Sequence, residues 1–309
     1  MRQLLILQPL ILQTLILHTL ILLLLSHSAM AQRLELPDYE PPTIQRFTAT
    51  EIARFPAREA GQGAAADADH FYAIVNSAIG QYDKQSGEFI QRWASSRSGP
   101  IRHLNSCYAE GDELYCANSN FPEVPMASSL EVFATDTMEH SRSYSLGVLD
   151  DGSLTWYDRL GDGWIAGYAH YDEDGGLSYK DHSFATISRY DNDWRRLGGW
   201  MIPETVIARM QPHAASGGAI GPDGLLYLTG HDRPEMYVLA APKMGPKLVH
   251  IATIDIAVEG QAFTWDKSSE ERVVWGISRP NREVRAFSLP PINLPEGYSR
   301  LTDLPQGFR

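Results

Sequence analysis

The feature that most restricts how this chain can fold is a short pattern written five times. An apolar, strand-like segment recurs as Phe71-Tyr-Ala-Ile-Val-Asn76, Leu114-Tyr-Cys-Ala-Asn-Ser-Asn120, Trp164-Ile-Ala-Gly-Tyr-Ala-His170, Leu226-Tyr-Leu-Thr-Gly-His231 and Val273-Val-Trp-Gly-Ile-Ser278. Before each lies a shorter segment rich in small residues, starting at Gly63, Leu104, Ser153, Gly217 and Gln261, so successive units begin 41, 49, 64 and 44 residues apart. A polar turn such as Asp67-Ala-Asp69 or Pro222-Asp223-Gly224 separates the two. A third alternating segment follows in every unit, for example Ala78-Ile-Gly-Gln-Tyr82 and Glu235-Met-Tyr-Val-Leu239. Short alternating runs punctuated by Gly, Pro and Asp read as β-strands. Four strands per repeat of about 40–50 residues read as a β-propeller. A β-sandwich would leave the repeats unexplained.

We therefore expect an all-β propeller of five four-stranded blades over residues 59–290, with six blades as the alternative. The fifth unit has no clear fourth strand before Pro290-Pro291, and the strand-like Thr43–Thr50 within the lead-in 32–58 is expected to supply it and close the ring. Residues 291–309 form a tail. The long third gap holds insertions around Asp172–His182 and Pro203–Ala215, the second with a helix near Pro203–Met210. Trp156 and Trp265 fall at one blade position and are expected to pack blade against blade.

Residues 1–31 stand apart. Arg2 is their only charge, Leu and Ile dominate from Leu4 to Leu25, and Ala29-Met-Ala31 supplies the small-x-small exit that signal peptidase reads, with Gln32 the first mature residue. The competing reading is a retained anchor, since about 20 apolar residues span a bilayer. A periplasmic or secreted location follows from cleavage. The only two cysteines agree with it. With Gly111-Asp112 as a two-residue hairpin turn, Cys107 faces Cys116 in a non-hydrogen-bonded pair, where Cα atoms approach most closely. That register predicts a cross-strand disulfide. The chain carries 26 Lys and Arg against 38 Asp and Glu, formally −12, and no dense basic run. Nucleic acid is a poor partner for such a surface, as is a membrane once the leader is removed.

Propeller geometry points to a site. The start of each innermost strand and the end of the next strand meet at the same mouth of the central channel. Those positions supply Glu59, Gln62, His103, Asn105, Ser153, Ser216, Glu259 and Gln261 from strand starts, and Asn76, Asn118, Asn120, His170, Tyr171, His231, Asp232 and Arg279 from strand ends. Concave mouths with convergent polar groups are default binding sites for small molecules. Three chemistries fit the set. His170 and His231 with Glu259 suit acid–base work. His103, His170, His231, Asp232 and Glu259 suit a divalent metal, zinc or calcium. Arg279 suits a substrate carboxylate, with Gln62, His103, Asn105 and Gln261 beside it. The plain alternative is that polar residues line a hydrated channel and satisfy strand ends. Ser216-Gly-Gly is no nucleophile elbow, and neither a P-loop nor a dinucleotide fingerprint is present.

Gly221-Pro-Asp-Gly-Leu-Leu-Tyr-Leu-Thr-Gly-His-Asp232 and Glu259-Gly-Gln-Ala-Phe-Thr-Trp-Asp266 resemble the repeats of secreted propellers of the strictosidine-synthase and gluconolactonase-like group, the NHL-type repeats, and bacterial and fungal propellers loosely labelled cycloisomerases. The resemblance spans Gly61 to Leu289 and rests on blade consensus. It implies a lactonase-like hydrolase or isomerase acting on a small polar or sugar-derived molecule. It further implies a channel calcium whose carry-over ligands would be Glu259, Asn105 or Asn120, and Asp232. The other class of function for this fold is a non-catalytic binding module of the cell envelope.

Overall fold

The computed structural model describes residues 40–304 except 97 and 174. The signal-peptide reading of residues 1–31 therefore falls outside the described residues. After β1 (Gln45–Thr48) and β2 (Thr50–Pro56), the chain forms five antiparallel sheets in sequence order. Blade 1 comprises β3 (Gly63–Ala66), β4 (His70–Val75), β5 (Ala78–Asp83) and β6 (Phe89–Ala94). Blade 2 comprises β7 (His103–Glu110), β8 (Glu113–Ser119), β9 (Ala127–Ala134) and β10 (His140–Val148). Blade 3 comprises β11 (Ser153–Leu160), β12 (Gly163–Ala169), β13 (Thr186–Tyr190) and β14 (Arg196–Met201). Blade 4 comprises β15 (Gly217–Ile220), β16 (Leu226–Thr229), β17 (Glu235–Ala240) and β18 (Val249–Asp255). Blade 5 comprises β19 (Thr264–Trp265), β20 (Val273–Ser278) and β21 (Glu283–Ser288), completed by β2. The innermost strands β3, β7, β11, β15 and β19 contact one another in that cyclic order, so the ring is closed.

An N-terminal strand does close the ring, but its residues differ from the expected Thr43–Thr50. β2 pairs antiparallel with β21 through Thr50–Pro56, while β1 runs parallel to β18 as a fifth strand on blade 4. The stretch between them carries no turn signal, so alternation alone did not reveal that it serves two blades. Among the described residues the tail forms no further blade. Ser299 bridges Ala241, and Leu301 is buried against blade 4.

Each strand's composition follows from its radius. β3 is buried at every position, whereas β10 is exposed along nearly its whole length. At the axis five backbones converge and side chains have no room. A Cβ on Gly63 would lie 2.8 Å from the Ala262 Cβ, and one on Gly217 would lie 2.7 Å from the Gln261 carbonyl oxygen. The apolar core is accordingly five inter-blade cores. Trp156 of blade 3 is fully buried against Leu226, Leu228 and Tyr237 of blade 4, and Trp265 of blade 5 joins the core formed with Tyr227 and Val238 of blade 4. Both tryptophans thus hold neighbouring blades together, as their repeated position implied.

In blade 2 the register is Glu110↔Glu113, Ala109↔Leu114, Tyr108↔Tyr115 and Cys107↔Cys116, set by a turn whose Gly111 has φ +60°. The cysteine Cα atoms lie 4.1 Å apart and the sulfurs are joined. No helix among the described residues is long and apolar enough to cross a membrane.

Candidate functional site

A cavity of about 440 Å3 opens at the channel mouth, lined by Gln62, Asn76, His103, Phe121, Tyr171, His213, His231 and Arg279. All five blades contribute. Gln62 and Asn76 flank β3 and β4 of blade 1, His103 starts β7, and Phe121 follows β8. Tyr171 follows β12, His213 and His231 flank β15 and β16, and Arg279 follows β20.

The insertions of the third gap complete this rim. α1 (Glu204–Met210) buries Val206, Ile207 and Met210 against the junction of blades 3 and 4. The chain then runs back so that Tyr171 and His213 form a β-bridge, while the Asp172 N–H donates to the Pro212 carbonyl at 3.1 Å. His213 reaches the mouth by this route.

The chemistry concentrates on blade 4. Asp232 bridges two imidazoles, with His213 Nδ1 2.8 Å from Oδ2 and His231 Nδ1 2.6 Å from Oδ1. The two rings have centroids 4.3 Å apart. Tyr171 meets both edge-on, at 4.7 Å from His213 and 5.8 Å from His231. Arg279 Nη1 donates to His231 Nε2 at 3.2 Å. A guanidinium carries only donors, so His231 accepts at Nε2 and keeps its proton on Nδ1, toward Asp232. On the opposite rim, Phe121 lies edge-on to His103 at 5.2 Å and to Tyr171 at 5.5 Å. Gln62 Nε2 donates to Asn76 Oδ1 at 2.5 Å.

Burial, with the Arg279 charge adding to it, pushes His103 down to about 4. Burial also holds His231 below its ordinary value against the opposing pull of Asp232. For Asp232, burial alone would raise the carboxyl, but hydrogen bonds from His213 and His231 outweigh it and keep the group ionised. Among the described residues the lining thus presents uncharged His103 and His231, a guanidinium, amides and aromatic edges, and no carboxylate. Among the described residues no carboxylate is in ion-pair contact with Arg279. Such a surface favours an anion, although the whole chain is acidic.

Of the residues singled out from sequence, Gln62, Asn76, His103, Tyr171, His231 and Arg279 line the cavity, with Asp232 directly behind. Others are placed elsewhere. His170 is not part of the lining. It sits beneath Gly152, its ring 6.5 Å from that of Phe184, with Nε2 buried and unpartnered among the described residues. The insertion after β12 covers it. Glu59 binds Arg92 at 2.9 Å and the Tyr82 hydroxyl at 2.7 Å within blade 1. Asn105 donates to the Leu154 carbonyl at 3.0 Å, joining two inner strands. Gln261 is buried with φ +71°, and its backbone N–H donates to the Gly230 carbonyl at 2.9 Å. Glu259 lies beside the blade-4 strand end, since a Cβ on the adjacent Gly260 would come 2.5 Å from the His231 carbonyl carbon. Its Oε2 is buried without a partner among the described residues.

The expected five-residue metal set does not gather. Among the described residues, three-membered donor groups within 4.8 Å are His213–His231–Asp232 and Asp172–Asp181–His182, and neither includes His103, His170 or Glu259. Two members of the calcium set implied by resemblance have protein partners of their own. Asn120 uses both ends of its amide inside its own loop, accepting from the Ala127 N–H at 2.8 Å and donating to the Pro125 carbonyl at 3.0 Å. Asp232 is engaged by two imidazoles. His213 and Phe121 were missed from sequence because neither occupies a repeat-consensus position; the one available hint was a histidine just ahead of the blade-4 inner strand.

Fold and site define a class: a five-bladed β-propeller with a polar, cation-bearing mouth. No protein-family model matches the chain, and no curated protein matches it. Among solved structures it is similar to the RRP9 WD40 repeats, with TM-score 0.43 and 11% identity, covering 74% of this chain and 79% of that one. It is similar to hydrazine synthase from Kuenenia stuttgartiensis, with TM-score 0.41 and 8% identity, covering 72% and 68%. It is also similar to a Bacteroides fragilis protein described as exported, with TM-score 0.42 and 10% identity, covering 79% and 77%. Similarities of this size carry no functional argument, and the class stands on the ring itself.

Proposed function

We propose that the protein is an exported propeller enzyme that takes a small carboxylated, sugar-derived molecule at the channel mouth. The reaction would be hydrolysis of the lactonase kind or a proton-shuttling isomerisation. The observation that carries this reading is the lining: Arg279 beside uncharged histidines, with no carboxylate, in a molecule of formal charge −12. Arg279 would grip the carboxylate through its planar fork. A carboxylate drawing Arg279 away would release the His231 Nε2 lone pair as a base, with Asp232 holding the opposite nitrogen. Export is part of the reading, supported by the leader-like residues 1–31 and by the Cys107–Cys116 pairing.

The test is calorimetric titration with glucuronate and gluconate. Arg279→Ala is expected to weaken binding about 10- to 100-fold, the worth of hydrogen bonds to a charged group, with the melting temperature unchanged. Equal binding by wild type and variant would remove the proposal. A second reading, a ligand-binding module without turnover, is favoured by one observation: Arg279 already occupies the lone pair that a base would need. It predicts anion affinity with no product from any lactone offered.

A further inference from the structure

We propose that the mouth holds one divalent first-row transition ion, zinc foremost, on His213, His231 and Asp232. This deepens the reading above and rests on it only for the coupling to anions described below. Each of the three residues offers one donor atom, and all three atoms lie within 4.8 Å of one another. The Nδ1 atoms of His213 and His231 already converge on the two oxygens of the Asp232 carboxylate. Two imidazoles and a carboxylate form the donor set that zinc and its neighbours accept. Three protein ligands leave a coordination position open, as hydrolytic zinc sites do. The rings are not loose: Tyr171 braces both from one side, and the left-handed Gly260, with φ +64°, packs directly on the His231 backbone.

The other donor group provides an internal contrast. Asp172, Asp181 and His182 also fall within 4.8 Å of one another. There, however, the Asp181 carboxylate already serves as the cap of the 3-10 turn His182–Phe184, accepting from Ser183 N at 2.8 Å and Ser183 Oγ at 2.5 Å. Asp172 likewise accepts from the His182 backbone N–H at 3.0 Å and from Gln211 Nε2 at 3.1 Å. Those carboxylates are committed to folding the insertion. Among the described residues Asp232 has only the two imidazoles as partners, both of which would turn from donors into ligands.

Such an ion has a consequence for Arg279. A neutral imidazole carries one proton. Ligation through Nδ1 moves that proton to Nε2, where it faces the Arg279 N–H now bonded to that nitrogen at 3.2 Å. Two donors repel, so the guanidinium is released into the cavity, while the ring remains neutral. Metal and anion should therefore strengthen each other's binding, reciprocally as linkage requires. The bound ion would supply Lewis acidity where His231 would otherwise act as base.

The experiment uses tag-free protein beginning at Gln32, stripped with a chelator and titrated with Co2+ and then Zn2+. One Co2+ per chain with a visible ligand-field band, displaced by Zn2+, is expected. Asp232→Asn and His213→Gln should each weaken Zn2+ binding by about a hundredfold or more, while His182→Gln should leave it unchanged. Circular dichroism and melting curves check that the variants fold. Wild type that binds neither ion at about 1 mM overturns the proposal without any variant. So does binding that survives His213→Gln and is lost in His182→Gln. Glucuronate titration with and without Zn2+ separates the two readings. Zinc bound at His213 with no glucuronate affinity sinks the anion reading and keeps the metal site. Glucuronate bound through Arg279 with no metal affinity does the reverse.

Discussion

The turns at one end of this propeller and the cavity at the other are built from the same repeat and treat their charges in opposite ways. At the end away from the mouth, where each inner strand turns into the second, aspartates are paired locally. Asp266 receives Lys84 at 2.8 Å and the Trp275 indole N–H at 3.0 Å. Asp223 receives the Tyr227 hydroxyl at 2.7 Å and Arg272 at 3.0 Å. Asp158 accepts from the Ile220 N–H at 2.9 Å and pairs with Lys267 at 3.3 Å. Asp67 accepts from the His70 and Asp69 N–H groups and from the Tyr72 hydroxyl. These carboxylates fasten turn to strand and blade to blade. At the mouth the cation Arg279 meets an imidazole in place of a carboxylate, and the ionised Asp232 is half exposed with two histidines as partners. Charge satisfied inside the protein stabilises a fold, whereas charge left to a neutral neighbour is available to a ligand.

The contrast makes graded predictions. The largest effect belongs to Asp266→Ala, which would leave the buried Trp275 indole N–H without its acceptor and Lys84 without its carboxylate, held only by the Asp67 carbonyl and the Ser268 hydroxyl. A loss of about 3–5 kcal/mol is expected, as for other broken buried pairs, read by urea denaturation, with glucuronate affinity intact in the folded fraction. If that variant lost affinity at unchanged stability, the division of labour between the ends would be abandoned. Asp232→Asn should cost about 1 kcal/mol, the net worth of a hydrogen bond at a half-exposed acceptor, while changing ligand binding at the mouth. A stability loss as large as that of Asp266→Ala would make the mouth another structural clamp.

The third contrast is a pH signature. His103 titrates near 4 when folded, chiefly because it is buried, against an ordinary 6.5. The unfolded chain takes that proton first, so stability falls as pH drops from about 6.5 to about 4. At the far end, burial alone would raise Asp67 and Asp266, but their hydrogen bonds hold both below the ordinary 3.8. Their contribution is present above that value and is lost as pH falls through the lower folded ones. His103→Gln should make the upper limb shallower, with buried His250, also pushed down to about 4, carrying the remainder, and should leave the acid limb below pH 4 unchanged. A variant curve that altered only below pH 4 would contradict this assignment.

Much of this was legible in the residues alone. Gly111-Asp112 set the register that brings Cys107 to Cys116, because a two-residue turn leaves only one pairing. Gly63, Gly217 and their small neighbours marked the crowded axis. Convergence at one mouth followed from the repeats, and Gln62, Asn76, His103, Tyr171, His231 and Arg279 meet there. His170 did not reach the lining, because the insertion beginning at Asp172 folds over it. Glu59 had Arg92 and Tyr82 within reach in its own blade. His213 was invisible because it lies in the other insertion, outside every repeat position.

By itself the sequence determined the ring, its five modules and the rim on which polar groups collect. Periodicity is local, and identical modules that must bury both faces have little choice but to stack around an axis. Which side chains meet across that rim was decided only in three dimensions. Asp232 joins His213 to His231, and Arg279 reaches His231 from another blade, through contacts between residues that no local pattern links. The His213 partnership depends on how its insertion folds back over the mouth, held there by the packing of Val206, Ile207 and Met210 rather than by any repeat.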